Sequence, residues 1–285
     1  MSAVPSRRRA LFALATVAVI GGAVAHAAAS GTTSKVDGAA DPSSLAVRGE
    51  RTQVETPLAA PDHGGCLSGT GTKVAASIDP AQRWYVDVVS SEWYYWKVSF
   101  YPRPGLRGAV ALVGDSLTVA ASEETMRGLI DAGFGPVCID GQVARRTSVA
   151  TNEIPSGVQE VARIKSSDPV WRLSTVRWVL ALGTNDARGT ISTYAATIQK
   201  GRNAVGTVTV PMYWIDVRTR LGEPNTNYEN QWNTRLPGPN TVIIGWAAAV
   251  APSASLYINS VDMIHLTAAG EVLRGNLTAA TLSAT

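Results

Sequence analysis

The chain has 285 residues, a formal net charge of +3, 45% hydrophobic residues and 16% charged residues. That length supports one sizeable core with room for a small accessory segment, and the composition is that of a folded globular protein. The small net charge, part of it from the extreme N-terminus, gives neither the basic footprint of a nucleic-acid binder nor an acidic tail, so no nucleic-acid partner is expected.

Residues 1–30 read as an export signal. Arg7, Arg8 and Arg9 form a positive start, residues 10–25 are apolar or small, and Ala25-His26-Ala27 has the small-x-small spacing of a cleavage site. The apolar run is shorter than the roughly 20 residues a bilayer span requires, so no membrane span is expected after signal cleavage. The expected location is therefore extracellular or in the cell envelope. Residues 31–78 are rich in Gly, Ser, Thr, Ala and Pro and read as a linker or arm. Residues 79–106 differ sharply. Trp84, Tyr85, Trp93, Tyr94, Tyr95, Trp96, Phe100 and Tyr101 lie among valines, a composition that predicts a pair of strands in an accessory segment. These rings either pack onto the main domain or form a platform for sugar rings. The two cysteines, Cys66 and Cys138, form a disulfide if the chain is exported. Cys138 lies in the apolar run 136–139 and reads equally as a free core thiol.

From residue 107 to 285 the pattern becomes regular. Short apolar runs at 109–113, 137–140, 176–182, 208–214 and 242–246 predict buried parallel strands. Helical stretches are expected over 123–132, 191–205, 227–236 and 267–282. Alternating strands and helices predict an α/β sandwich around a mostly parallel sheet, with ligands beyond the carboxyl ends of the strands. Three short segments fall at predicted strand ends or in loops. The first strand runs into Gly114-Asp115-Ser116-Leu117, where a helix beginning just after the serine would favour developing negative charge. The third strand runs into Gly183-Thr184-Asn185-Asp186, where Asn185 can donate to an oxyanion and Asp186 reads as a cap or loop-ordering residue. Asp262-Met263-Ile264-His265 precedes the last helix. A serine nucleophile requires a base, and of the three histidines only His265 lies in the α/β region. Asp262 can fix its tautomer.

These blocks, in this order, resemble the SGNH (GDSL) hydrolase family over residues 107–285. The resemblance implies a three-layer α/β/α sandwich with a flavodoxin-like sheet of five parallel strands. It implies Ser116 as nucleophile, His265 as base and Asp262 as its orienting partner. It also implies an oxyanion hole made by the Ser116 amide, the Asn185 side chain and a backbone amide of the block Gly141-Gln142-Val143-Ala144-Arg145-Arg146-Thr147. Related sequences carry glycine just before the arginine, where this chain has Ala144. Alanine can supply the same N–H unless the backbone there requires a positive φ, and Gly141 is the second choice. Arg145, Arg146 and Arg218 stand at or after strand ends, where they either meet an anionic substrate or form surface ion pairs.

The activity so implied is hydrolysis of short-chain acyl or acetyl esters by a monomer through an acyl-enzyme, the substrate being a small molecule or a glycan. Acyl transfer to cell-wall or polysaccharide sugars would use the same triad. A secreted glycan-binding module without turnover is the reading from another class. No cofactor is expected. The scattered histidines and the two cysteines do not make a zinc site, and no phosphate-binding or G-x-S-x-G signature is present.

Overall fold

The computed structural model describes residues 66, 73–75, 84–91, 94–151, 153–186, 191–218 and 226–285. The expected signal at 1–30 and nearly all of the arm at 31–78 lie outside the described residues. Among the described residues eight strands form one sheet: β1 (Lys73–Ala75), β2 (Trp84–Ser91), β3 (Tyr94–Tyr101), β4 (Val110–Gly114), β5 (Val137–Gln142), β6 (Arg177–Ala181), β7 (Met212–Ile215) and β8 (Thr241–Ile244), in the order β1-β2-β3-β5-β4-β6-β7-β8. The last five are mutually parallel. Their order, β5-β4-β6-β7-β8, is the flavodoxin-like one, and it reverses direction at β4, the strand that carries the serine.

The parallel strands read as apolar runs because both faces are covered. Side chains alternate along β4. Ala111 and Val113 enter a core with Val161 and Ile164 of α2 (Gly157–Ser167), Ile198 of α3 (Ile191–Val205) and Trp232 of α4 (Thr226–Asn233). Val110 and Leu112 enter the opposite core, with Leu117, Met126 and Leu129 of α1 (Ser116–Asp131). Val250 of α5 (Trp246–Val250) and Leu282 of α7 (Ala268–Ser283) complete that face, and α6 (Ala254–Tyr257) precedes the loop to α7. Each fully buried aliphatic side chain contributes roughly 1.5–3 kcal/mol. The result is a three-layer α/β/α sandwich. Among the described residues no helix is long and apolar enough to cross a membrane.

The aromatic segment extends this same sheet. β3 pairs antiparallel with β5, placing Trp96 opposite Gln142 and Phe100 opposite Cys138. Trp84, Trp96, Phe100 and Tyr101 are buried, so these four rings are core and not a stacking platform. Cys66 and Cys138 are joined as a disulfide with Cα atoms 5.5 Å apart, a spacing ordinary for such bonds.

Several elements differ from the sequence expectation for local reasons. The first helix begins at Ser116, not at 123, because the Asp115 carboxylate accepts the Leu117 amide at 3.0 Å and caps it. Helix α2 was not anticipated, although Ser156 and Gln159 form a capping box at its start. The fourth parallel strand begins at Met212, not at 208. Pro211 has no N–H to donate, and the carbonyls of Val208 and Val210 take the Asn240 side-chain amide at 3.2 and 2.9 Å.

Candidate active site

Ser116 is the first residue of α1, directly past the carboxyl end of β4. Its own N–H belongs to the helix's first turn, which has no intrahelical acceptor. The connection is tight. A Cβ on Gly114 would lie 1.8 Å from Thr118 Oγ1, so the strand-to-helix turn requires glycine there. Asp115 is fully buried, and burial pushes its carboxyl up. The Arg274 guanidinium, the Leu117 amide and the Thr184 hydroxyl oppose that rise. Arg274 is itself buried on α7 and stands over the Trp246 ring at 5.1 Å.

The loop before α7 brings the base. Ser116 Oγ lies 3.0 Å from His265 Nε2, and His265 Nδ1 lies 2.7 Å from Asp262 Oδ2. Asp262 Oδ1 accepts the amides of Ile264 and His265, both at 2.9 Å, so the carboxylate is fixed by its own turn. Burial alone raises its pKa, but those two amides and the imidazole together draw it down to about 2. The carboxylate is therefore ionised whenever the imidazole is neutral, and its lone pairs demand the Nδ1–H tautomer. That leaves Nε2 as an acceptor facing the serine hydroxyl. The His265 and Asp262 side chains are 47% and 39% exposed, which leaves the relay open on its outer side.

The third turn carries Asn185 in a single helical turn, Thr184–Asp186, after β6. Gly183 stands at φ +132°, and a Cβ there would strike the Trp232 ring at 2.5 Å. The Tyr228 hydroxyl donates to the Gly183 carbonyl. Asn185 Nδ2 donates to the Arg145 carbonyl at 3.2 Å. Asp186 orders a loop, accepting the Thr147 amide at 3.0 Å and its hydroxyl at 2.7 Å. Burial raises the Asp186 carboxyl, and the Thr147 bonds oppose that shift.

The loop after β5 departs from expectation in two places. Ala144 stands at φ +61°, so the position that is glycine in related sequences does require the left-handed region and holds an alanine under strain. Met263, between Asp262 and His265, also has a positive φ of 59°. Arg145 does not face a substrate. Its side chain is fully buried, 2.8 Å from the Asp140 carboxylate. Arg218 pairs with Glu229 at 3.0 Å, and half-buried Arg146 lies near enough to Asp186 for its charge to oppose the rise of that carboxyl. Gly141 lies within β5, where a Cβ would meet the Val119 amide at 2.7 Å; it is a packing position, and Ala144 occupies the turn.

Fold and site together define a doubly wound α/β protein with a serine, a histidine and an aspartate in hydrogen-bonding sequence at the carboxyl edge of its parallel sheet. This is the three-layer, flavodoxin-like arrangement that the resemblance implies. No protein-family model matches the chain, and no curated protein does. Among solved structures the chain is similar to the C-terminal catalytic domain of Streptococcus pneumoniae peptidoglycan O-acetyltransferase A, with 15% identity, 62% of this chain and 91% of that one covered, and a TM-score of 0.41. It is also similar to TesA, with 17% identity, 61% and 97% covered, and a TM-score of 0.43. A third similar structure is LAE5, an alpha/beta hydrolase from a Lake Arreo metagenome, with 13% identity, 64% and 96% covered, and a TM-score of 0.45.

Proposed function

We propose that the chain is an exported serine esterase that hydrolyses carboxylic esters through an acyl-enzyme. The observation that carries this reading is the unbroken sequence Ser116 Oγ, His265 Nε2, His265 Nδ1, Asp262 Oδ2, with separations of 3.0 and 2.7 Å. His265 Nε2 takes the hydroxyl proton as Ser116 Oγ attacks the ester carbonyl. The tetrahedral oxyanion is met by the Ser116 amide, the Asn185 side chain and the Ala144 amide. His265 returns the proton to the departing alcohol, leaving Ser116 acylated. Water, deprotonated by the same imidazole, then releases the acid. Asp262 stays ionised throughout and stabilises the imidazolium.

The Cys66–Cys138 bond supports an oxidising compartment, in keeping with the signal-like residues 1–30. The openness of His265 and Asp262 supports substrates whose alcohol portion is bulky, such as an acylated glycan. Turnover of a p-nitrophenyl ester panel and acetylated glycans by wild type and by Ser116→Ala tests the reading. The variant is expected to fold and to lose ester hydrolysis. Turnover retained in pure Ser116→Ala overturns it.

A further inference from the structure

Arg145 follows the strained Ala144 and lies beneath the three turns of the site. Its Nη1 donates to the Gly114 carbonyl at 3.1 Å and to the Asp140 carbonyl at 3.0 Å, and stands 2.8 Å from the Asp140 carboxylate. Its Nη2 donates to Gln142 Oε1 at 3.1 Å and lies 3.9 Å from a Glu160 carboxylate oxygen. Arg163, from α2, closes the cluster at 3.1 Å from Asp140 and 2.6 Å from Glu160. One guanidinium therefore joins the end of β4, two residues before Ser116, to the end of β5. Its backbone joins the third turn, because the Arg145 carbonyl accepts from Asn185 Nδ2 at 3.2 Å.

That last bond decides how the Asn185 amide points. A backbone carbonyl only accepts, so the NH₂ end of Asn185 faces Arg145. The amide has two N–H groups, and one is used there. The second remains for an oxyanion. A reversed amide would set two oxygens against each other and turn both N–H groups away from that position.

We infer that Arg145 is a positioning residue of the oxyanion hole: its buried guanidinium fixes the carbonyl that orients the Asn185 amide. This rests on the esterase reading. Fixing a donor ahead of the reaction matters because removing one oxyanion donor costs about 10²–10³ in turnover. Lysine at this position keeps the charge but loses the planar fork that reaches Gly114, Asp140 and Gln142 together.

The test is a double-mutant cycle on p-nitrophenyl acetate with wild type, Arg145→Lys, Asn185→Ala and the double variant, each checked for fold by circular dichroism. Arg145→Lys is expected to lower kcat by roughly ten- to a hundred-fold with KM little changed, less than the roughly 10²–10³ for outright loss of one donor, because the Asn185 amide is misaimed and not removed. In the Asn185→Ala background the same substitution is expected to cost far less, because the group it orients is gone. Losses that multiply, or a folded Arg145→Lys with wild-type kcat, overturn the inference. If the lysine variant does not fold, Gln142→Met carries the test. It removes one acceptor of Arg145 and also a buried amide N–H that has no partner, while the Arg145 bonds to Gly114 and Asp140 stay in place. It is expected to lower kcat several-fold at constant KM, and an unchanged kcat counts against the inference. Wild type and Ser116→Ala run alongside. An inactive wild type overturns the esterase reading itself, whereas an active wild type with an equally active Arg145→Lys overturns only the role of Arg145.

Discussion

Ala144→Gly is expected to stabilise the protein, against the usual direction for a glycine substitution. Ala144 stands at φ +61° and is exposed, so its methyl group adds a left-handed penalty and little packing. The left-handed region costs an L-residue roughly 1–2 kcal/mol. Glycine gives back roughly 0.5–1 kcal/mol through the greater freedom of the unfolded chain. The net expectation is a gain of about 0.5–1 kcal/mol. For a folded unit of this size that raises the unfolding midpoint by roughly 1–4 °C. The backbone N–H is present in both variants, so kcat for p-nitrophenyl acetate is expected to hold. Thermal unfolding followed by circular dichroism, with kinetics on the same preparations, reads both quantities. A midpoint lower than wild type refutes the argument that this turn is strained by its side chain.

The buried cluster predicts a pH dependence. Burial and then the negative charge of Asp140 push the Glu160 carboxyl up to about 7. Native Glu160 therefore keeps a proton that the unfolded chain loses, so its contribution to stability is full below about pH 4.5 and is lost as pH rises to about 7. At about 1.4 kcal/mol per pKa unit the loss amounts to at most about 3–4 kcal/mol. Glu160→Gln mimics the protonated form, and urea unfolding is expected to show it gaining on wild type at pH 8 and not at pH 4.5; equal gains at both values contradict this. Asp216, raised by burial to about 6, acts in the same direction and remains in the variant. The disulfide closes a loop with a sequence separation of 72 residues, for which chain entropy predicts roughly 4 kcal/mol, so the Cys66→Ala/Cys138→Ala double variant is expected to lose stability on that order in denaturant unfolding. A loss below about 1 kcal/mol would mean that the bond does not restrain the unfolded chain.

The parallel sheet was legible in the sequence because strands buried on both faces are mostly apolar, so their runs stand out. The relay was legible because a single histidine lies in the α/β region, two of the three short blocks follow strand ends and the third precedes the last helix. The cluster beneath the site was not legible from Arg145 alone. An arginine after a strand reads as surface until its partners are known, and those come from β5 and α2. A signal was nevertheless present. Asp140 and Gln142, two apart in an otherwise apolar strand, lie on one face and require a buried donor. Arg274 gave a similar sign, standing with Gly270 and Thr278 at four-residue spacing on the buried face of α7. The role of residues 84–101 was hidden for another reason. Aromatic strands look alike whether they form a separate lobe or continue a sheet, and only the pairing of β3 with β5 distinguishes the two.

The central claim is that Ser116 is a nucleophile activated by His265. A fluorophosphonate probe incubated with the protein, followed by digestion and peptide mass spectrometry, tests it most directly. The account predicts one phosphonyl adduct, on Ser116, nearly absent in His265→Ala. An unmodified Ser116 at neutral pH, or labelling that persists undiminished in His265→Ala, would contradict it.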